Sequence, residues 1–503
     1  MLIFKILLGV SWLLLGPGRV FCHSMRFERT FSKHRRSDEE VVKQMKTPDK
    51  TYERYSPMAN LMSKTSEILE EATKEIKEMM LSDRSKREIE TFATEIEEML
   101  HVSSSDSDLS GQLLLADTDA DLALGELFDQ CIVAEGECDS RSRFRSFTGQ
   151  CNNLQFPATG ATLTKLGRLL PSEYEDGVSA PRSRSLSGMP LPNPRTVSSL
   201  IHENMNTADE KHTLMVMQWG QFIDHDLALT PQYRGPGNTL VECSKCDSAF
   251  INRGCYPILV PSADSFYPTN TSSPRCMKFV RSLPGQQRLG AREQLNSVSH
   301  YLDASMVYGS DACQAAELRE EDSFLMKMTR NPGSSDERPM KDLLPLTPHN
   351  PECRAADSQC FMAGDERVNE QPGLTVMHTM FVREHNNIAS HLASINPHWS
   401  DERVFQETRR IIIAMIQHIT YSEFLPRVLG DVFMPHYQLS LENSGHHQKY
   451  NPECGGTIFN EFATAAFRFG HSLIKSNLSL LSEEDMESGG PYLQVILASH
   501  WLM

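Results

Sequence analysis

Apolar residues recur mostly at helical spacing along this chain of 503 residues, whereas the alternating pattern typical of strands is sparse. The longest helical pattern runs from Val404 to Leu425. Pro and Gly residues interrupt the pattern at many points, as connections between helices require. The chain is therefore predicted to be mainly α-helical, with few short strands.

Two amphipathic helices are predicted near the start of the chain. Their apolar positions are Leu61, Ile68, Leu69, Ala72, Ile76, Met79 and Met80 in the first, and Ile89, Phe92, Ile96, Met99 and Leu100 in the second. The basic stretch Arg84–Arg87 between them is of the kind that proprotein convertases cleave, although a solvated charge cluster is the alternative. A run of Ser and Asp from Ser103 to Asp108 is typical of a linker. Residues 23–127, which contain no cysteine, are predicted to form a helical propeptide and linker.

The first 22 residues have the pattern of a secretory signal peptide. Met1–Leu15 is nearly all apolar, and Gly16, Pro17 and Gly18 end the run before a cleavage position near Cys22. The run is shorter than the roughly 20 apolar residues of a membrane span, which is the alternative interpretation. We expect a secreted, soluble protein with no membrane span.

Charge and cysteine content narrow the class of protein. Lys and Arg number 49 against 66 Asp and Glu, so the net charge of −17 argues against nucleic acid as a partner. Removal of Cys22 from the twelve cysteines leaves eleven, an odd number. One thiol would then be free, lack its partner or form a disulfide with another chain. In a secreted chain, disulfides explain Cys243-x-x-Cys246 better than a zinc site does. Asn270 and Asn477 begin glycosylation acceptor sequences.

Two segments carry polar residues that are candidates for catalysis or binding. Gln221, Asp224 and His225 share one face of a predicted helix, where buried polar groups are costly unless they have partners. Arg367 and Glu370, three residues apart, precede the apolar segment Leu374–Val382. The alternative for both segments is an ordinary, solvated helix surface. The polar run Arg383–Asn386 is expected to interrupt the helical pattern that follows.

Two further segments suggest metal ligands. His471 lies among small, apolar and aromatic residues, which suits an axial haem ligand, although a core histidine is the alternative. Oxygen-bearing side chains alternate from Ser299 to Ser305 and could surround a hard cation such as Ca²⁺. A polar strand or turn would have the same pattern.

Taken together, these segments resemble the animal haem peroxidase (peroxidase–cyclooxygenase) superfamily, in its secreted peroxidase branch. The similar segments are Trp219–Asp226, Gln294–Ser310, Gly364–Gln371, Met377–Asn387, Gln417–Gly430 and Phe462–His471, and they occur in the order of the family. The similarity extends from about Cys131 to about Ile474. It implies a mainly α, disulfide-stabilised fold that holds haem between a distal and a proximal helix.

The resemblance implies a role for each matching residue. His225 and Arg367 match the distal histidine and arginine, and Gln221 matches a distal glutamine that places water or halide. His471 matches the proximal iron ligand, and Arg468 matches an arginine near a haem propionate. Asp224 and Glu370 match the carboxylates that form esters with haem b. Asp226, Ser299, Tyr301 (through its carbonyl), Asp303 and Ser305 match the calcium site. Gln371 occupies the position at which one branch of the family has a haem-bonded methionine.

The implied activity is that of a secreted haem peroxidase. Such an enzyme reduces hydrogen peroxide and oxidises halide, thiocyanate, phenolic or tyrosyl donors through a ferryl haem. The resemblance also implies three disulfides, Cys138–Cys151, Cys243–Cys255 and Cys246–Cys276. A dioxygenase of the same superfamily is a less favoured alternative.

The chain departs from the family after His471. It ends at Met503, and Tyr492–Met503 does not resemble family sequence. We therefore expect the peroxidase domain, residues 128–503, to be incomplete at its C-terminus and Cys313 or Cys454 to lack a partner. A truncated, catalytically weak or inactive haem-binding or adhesive protein is the alternative function, and an unpaired cysteine could link it to a partner chain.

Overall fold

The computed structural model describes residues 57–82, 86–99, 138–474, 477–480 and 493–496. Within 138–474 it omits residues 203–204, 206, 208, 236–238, 268–273, 287–288, 336–339, 348–359 and 446–449. The predicted signal peptide and Ser/Asp linker lie outside the described residues. None of the described helices is long and apolar enough to cross a membrane.

Helices dominate the described residues, as the apolar spacing predicted. The α-helices are α1 Pro57–Leu81, α2 Lys86–Met99, α3 Pro194–Ile201, α4 Met215–Leu227, α5 Ser248–Ile251, α6 Ser305–Tyr308, α7 Ala312–Leu318, α8 Pro372–Ile395, α9 Asp401–Ile419, α10 Leu425–Leu429, α11 Phe433–His436 and α12 Asn460–Thr464. A π-helical segment, Thr420–Phe424, joins α9 to α10. Two 3₁₀ helices, Glu366–Asn369 and Ala466–Leu473, lie beside the candidate site.

The strands are short and form two-stranded antiparallel ladders. They are β1 Thr164–Lys165, β2 Arg234–Gly235, β3 Thr239–Leu240, β4 Ile258–Leu259, β5 Cys276–Met277, β6 Leu295–Asn296, β7 Leu346–Thr347, β8 Cys360–Phe361, β9 Asn477–Leu480 and β10 Leu493–Ile496. The pairs are β1 with β6, β2 with β3, β4 with β5, β7 with β8 and β9 with β10. These ladders pair short segments of the loops that surround the helical core.

The principal core packs α4, α8 and α9 around buried aromatic residues. Phe222 of α4 stacks on Phe381 of α8, with ring centroids 5.2 Å apart. Phe405 of α9 packs edge-on against Tyr308 of α6, with ring centroids 5.9 Å apart. One face of α4 packs into this core. The orientation of its opposite face is therefore fixed.

The predicted interruption of helix α8 at Arg383–Asn386 is wrong, since the helix continues to Ile395. Partners elsewhere satisfy its polar side chains. The Nδ1 atom of the buried His385 lies 2.8 Å from the Tyr308 hydroxyl, and Asn386 hydrogen-bonds to both backbone groups of Met326. Polar residues with such partners are tolerated inside a helix.

The three disulfides implied by the resemblance are present: Cys138–Cys151, Cys243–Cys255 and Cys246–Cys276. The expectation that Cys313 or Cys454 is unpaired is wrong, because both are disulfide-bonded, as is Cys360. Among the described residues, no cysteine is free. An odd count in sequence could not show this, because pairing depends on which cysteines meet in space.

The two predicted N-terminal helices are present as α1 and α2, and they contact each other. The face of α1 that is buried differs in part from the apolar face. Met80 is 66% exposed, whereas Ser66 and Glu70 are buried together with Met62 and Leu69. A helix buries whichever face finds complementary partners, and here those partners lie in the main body of the protein.

Candidate active site

Helix α4 carries three of the predicted site residues on one face. Asp224 and His225 are buried in its last turns, and Gln221 lies one turn earlier. On the opposite face, the Trp219 indole donates a hydrogen bond to the Thr420 hydroxyl at 3.2 Å. That bond, together with the stacking of Phe222, keeps the helix from rotating and so fixes the direction of the Gln221, Asp224 and His225 side chains.

Arg367 enters the site from the 3₁₀ helix Glu366–Asn369, which Asp365 caps. Asp365 accepts from Nε and Nη2 of Arg367, each at 2.8 Å, in a two-point pair. Arg367 also donates to the carbonyl of Ala228 at 3.0 Å. Burial opposes the charge of Arg367, but Asp365 outweighs it and raises the pKa of Arg367. The guanidinium is therefore charged and rigidly held.

The segment that carries Arg367 needs a glycine where it passes helix α6. A side-chain carbon at Gly364 would lie 2.3 Å from the Ser305 carbonyl oxygen, which is far inside van der Waals contact. Glycine therefore lets the chain approach closely enough to bring Asp365 and Arg367 to α4.

His225 is enclosed by charged groups. Its Nδ1 lies 3.6 Å from Asp365 and its Nε2 lies 3.5 Å from Glu370. Burial lowers the pKa of His225 well below its ordinary value, and the positive charge of Arg367 lowers it further. The imidazole is neutral at neutral pH, so one nitrogen can accept a proton.

Glutamine side chains orient Glu370. Gln371 donates through Nε2 to the side-chain oxygens of Gln218 and Gln221, at 2.5 and 2.9 Å. This leaves the amide nitrogen of Gln221 to donate to Glu370 at 2.5 Å. Burial raises the pKa of Glu370 to about 7, even though Arg367 and the Gln221 hydrogen bond favour its charged form.

Asp224 and Arg468 connect helix α4 to the segment that contains His471. Nη1 of Arg468 donates to Oδ2 of Asp224 at 3.2 Å, and Nε donates to the carbonyl of Ala463 at 2.7 Å. Burial raises the pKa of Asp224, although Arg468 and Arg367 oppose the shift. The other carboxylate oxygen, Oδ1, is buried and has no hydrogen-bond partner among the described residues. An orphaned, buried oxygen of this kind calls for a partner.

His471 lies in the 3₁₀ helix Ala466–Leu473 rather than in an α-helix, and its side chain is exposed. Partial removal of the ring from water lowers the pKa of His471, and Arg468 contributes to the shift. The ring is therefore neutral at neutral pH, which is the form that binds iron.

One cavity brings the predicted site residues together. It contains about 1340 Å³ of space, part of it open to solvent. Gln221, Asp224, His225, Arg367, Glu370, Arg468 and His471 all line it, together with Phe467, Phe469 and Gln371. The cavity therefore has an imidazole from each of two separate elements, three carboxylates (the third from Glu366), two guanidinium groups and aromatic rings.

The residues of the predicted calcium site form a separate cluster at the end of α4. Ser305 donates to Oδ1 of Asp226 at 2.8 Å, and Ser299 donates to Oδ2 of Asp303 at 2.7 Å. The second oxygen of Asp226 accepts from the backbone of Asp303 at 3.1 Å. Tyr301 is less directly involved: its carbonyl accepts from the backbone of Asp303 and its hydroxyl donates to Thr159.

The two carboxylates of this cluster are completely buried. Burial raises the pKa of Asp226 and also that of Asp303, and the negative charge of Asp303 raises the pKa of Asp226 further. No group of three or more His, Cys, Asp or Glu side chains suited to a metal occurs in the described part of the chain. A cation here would need hydroxyl and carbonyl oxygens beside the two carboxylates, which is chemistry that suits Ca²⁺.

Sequence reasoning missed Asp365 and Gln218. Asp365 is fully buried and pairs with Arg367, so the cost of burying its own charge is outweighed and its pKa falls well below the ordinary value. The signal was present, since Asp365 lies two residues before Arg367 in a segment already singled out. Gln218 lies one turn before Gln221, but only the fold shows that both meet Gln371.

Comparison with known proteins shows the family to which the chain belongs. The family model for animal haem peroxidases matches residues 144–501, so the chain belongs to the animal haem peroxidase family. The match extends beyond residue 474, where the motif similarity was expected to end. It includes residues 492–501, so the expectation that this tail does not resemble the family is wrong.

Relatives and a solved structure support this assignment. The chain is 42% identical to a peroxidasin homolog of Mus musculus over 361 residues, which are 68% of this chain and 24% of that protein. It is 38% identical to lactoperoxidase of Mesocricetus auratus over 365 residues, 69% of this chain and 49% of that protein. Peroxidase A from Dictyostelium discoideum has a TM-score of 0.54 and 29% identity, covering 71% of this chain and 64% of that one. The chain thus spans a quarter to half the length of these curated relatives.

Proposed function

We propose that this chain is a haem-dependent peroxidase that reduces hydrogen peroxide and oxidises a small halide, thiocyanate, phenolic or tyrosyl donor. The observation that carries the proposal is the shared cavity, which is lined by neutral His225, charged Arg367 and neutral His471. These groups are what peroxide cleavage at iron requires.

The cavity fits a haem on chemical grounds. His471 would ligate the iron, and Arg468 would pair with a propionate. Asp224, whose Oδ1 has no hydrogen-bond partner among the described residues, and Glu370 would form the esters. A bound haem supplies the electrons that cleave the peroxide bond, and the donor later restores them.

His225 and Arg367 have different roles in heterolysis of the peroxide O–O bond. Neutral His225 accepts a proton from one peroxide oxygen and returns it to the other, which leaves as water. Negative charge develops on the leaving oxygen, and the fixed guanidinium of Arg367 stabilises it. Asp365 holds Arg367, and Gln221 holds water or halide beside Glu370.

Calcium is proposed for the cluster at the end of α4. Asp226, Asp303, Ser299 and Ser305 would ligate it with the Tyr301 carbonyl. Because Asp226 adjoins His225, the ion would hold the distal histidine in place. Secretion, glycosylation at Asn270 and Asn477, and proteolytic cleavage within the predicted propeptide and linker, residues 23–127, complete the proposal, and the disulfides support an oxidising compartment.

The test uses purified full-length chain supplied with haem. We expect a Soret band and peroxide-dependent oxidation of guaiacol, and His225→Ala should keep the band but lower turnover at least ~10²-fold. His418→Ala, on an exposed position of α9, is the matched control and should behave as the unmodified chain. Stoichiometric haem without turnover in the unmodified chain would contradict the peroxidase and favour the haem-binding alternative.

A further inference from the structure

Helix α1 is docked on the main body of the protein through an apolar patch. Ala59 and Met62 pack in one cluster with Leu163, Leu283 and Leu295, all of them buried. Leu69, further along the same face, is completely buried. Burial of large side chains in a shared cluster is the usual source of binding energy between a helix and a domain.

Polar contacts give this docking its specificity. Ser66 donates to the carbonyl of Gln286 at 2.7 Å, and Thr73 accepts from the backbone of Gly290 at 3.0 Å. Between them, Glu70 pairs with Arg292 at 3.2 Å, and both side chains are about 95% buried. Their spacing along α1 is that of one helix face.

The pair Glu70–Arg292 sets the register of the helix. A buried charge that loses its partner is strongly destabilising, so neither side chain tolerates a shifted or absent partner. At the edge of the patch, Arg253 forms a further pair with Glu67. The patch therefore accepts a helix with Glu70 in this position and disfavours one that lacks it.

The docked helix also supports the distal helix α4. Leu295, which α1 covers, precedes Asn296 in strand β6. Asn296 donates to the carbonyl of Leu227 at 3.0 Å and accepts from the backbone of Leu229 at 2.8 Å. These two bonds hold the end of α4, two residues beyond His225.

Only non-covalent contacts would hold α1 after a cut in the linker. Residues 23–130 contain no cysteine, so no disulfide can connect a processed N-terminal fragment to the rest. We propose that this face of the protein is a binding surface for helix α1, and that residues 57–81 remain a bound component of the mature protein instead of being lost as a propeptide.

The test cuts the full-length chain at a chosen point. A recognition sequence for a site-specific protease replaces the run Ser103–Asp108. The haem-supplied protein, purified after removal of residues 1–22 and therefore of Cys22, is cleaved and passed over a size-exclusion column. We expect the N-terminal fragment to co-elute with the domain. Elution of the fragment as a separate species from the unmodified sequence would overturn the proposal.

Variants of α1 distinguish specific binding from non-specific binding. Glu70→Gln should raise the dissociation constant of the fragment at least about 100-fold, because it leaves Arg292 buried without its charge partner. Glu75→Gln, on the exposed face of the same helix, is the matched control and should remain bound. Equal retention of the two variants contradicts the proposal.

A displacement measurement covers the case in which Glu70→Gln does not fold. A synthetic peptide of residues 57–81, added in excess to the cleaved unmodified protein, should displace a fluorescently labelled fragment. The same peptide with Glu70→Gln should need about 100-fold higher concentration, and the Glu75→Gln peptide should match the unmodified one. Displacement by neither peptide, or by both equally, refutes a specific surface.

Discussion

The two histidines that line the candidate haem cavity have very different surroundings. His225 is buried among Asp365, Arg367 and Glu370 on a helix wedged into the core, whereas His471 is exposed on a 3₁₀ helix. Protein contacts therefore fix the position of the His225 side chain. The His471 side chain is exposed, so we expect its position to depend more on a bound cofactor.

The largest expected effect tests the organisation of the distal side through Asp365→Ala. The change leaves the buried Arg367 guanidinium without its two-point partner, which should cost about 3–5 kcal/mol of unfolding free energy. Chemical denaturation measures it. The control Asp431→Asn, at an exposed position, should cost less than about 0.5 kcal/mol. A small cost at Asp365 would mean that Arg367 is not held as described.

A second prediction uses the raised pKa of Glu370. In the folded chain without haem this carboxyl stays protonated up to about pH 7, whereas in the unfolded chain it ionises near the ordinary glutamate pKa of 4.5. As the pH rises from 4.5 to about 7, ionisation stabilises the unfolded state relative to the folded state. The free energy of unfolding therefore falls by up to about 3 kcal/mol. Glu370→Gln cannot ionise and should remove that part of the pH dependence, as measured by melting temperature. Parallel curves for the two proteins between pH 4.5 and 7.5 would argue against it.

A third prediction concerns the glutamine network that faces Glu370. Gln371→Leu removes the donor to Gln218 and Gln221 and should cost about 1–2 kcal/mol, since two acceptors lose a partner. With haem bound, the freed Gln221 amide should also shift the Soret band. Gln232→Leu, at an exposed position that lines the same cavity, serves as the control, and no difference between these variants would speak against the network.

The smallest stability effect is expected on the proximal side. His471→Ala should change the unfolding free energy of the chain without haem by less than about 0.5 kcal/mol, because the side chain is exposed. The same change should abolish stoichiometric haem absorbance, whereas His225→Ala should retain it. A large loss of stability without haem would show that the proximal segment is organised independently of the cofactor.

Sequence patterns identified the helices and most of the cavity lining, because helical periodicity and family motifs are local properties. Helices α1, α2, α4 and α9 follow from the spacing of apolar residues. Gln221, Asp224 and His225 needed only one helix face to be grouped together. Their relation to Arg367 and His471 came from the resemblance, since nothing local connects residues so far apart in the chain.

Other features were decided only by the tertiary structure. The polar run at Arg383–Asn386 continues the helix because Tyr308 and Met326 satisfy it, and these partners lie more than 50 residues away. Cys313 and Cys454 are disulfide-bonded, which no count of cysteines can reveal.

The sequence by itself determined the helical class, the family motifs and the three disulfides that the resemblance implied. Only the tertiary structure decided that Asp365 anchors Arg367, that three glutamines orient Glu370, and that α1 buries Glu70 against Arg292. The physical reason is that a polar residue is stable in the interior only when a partner meets it there. Which partner meets it depends on packing between segments that are distant in the chain.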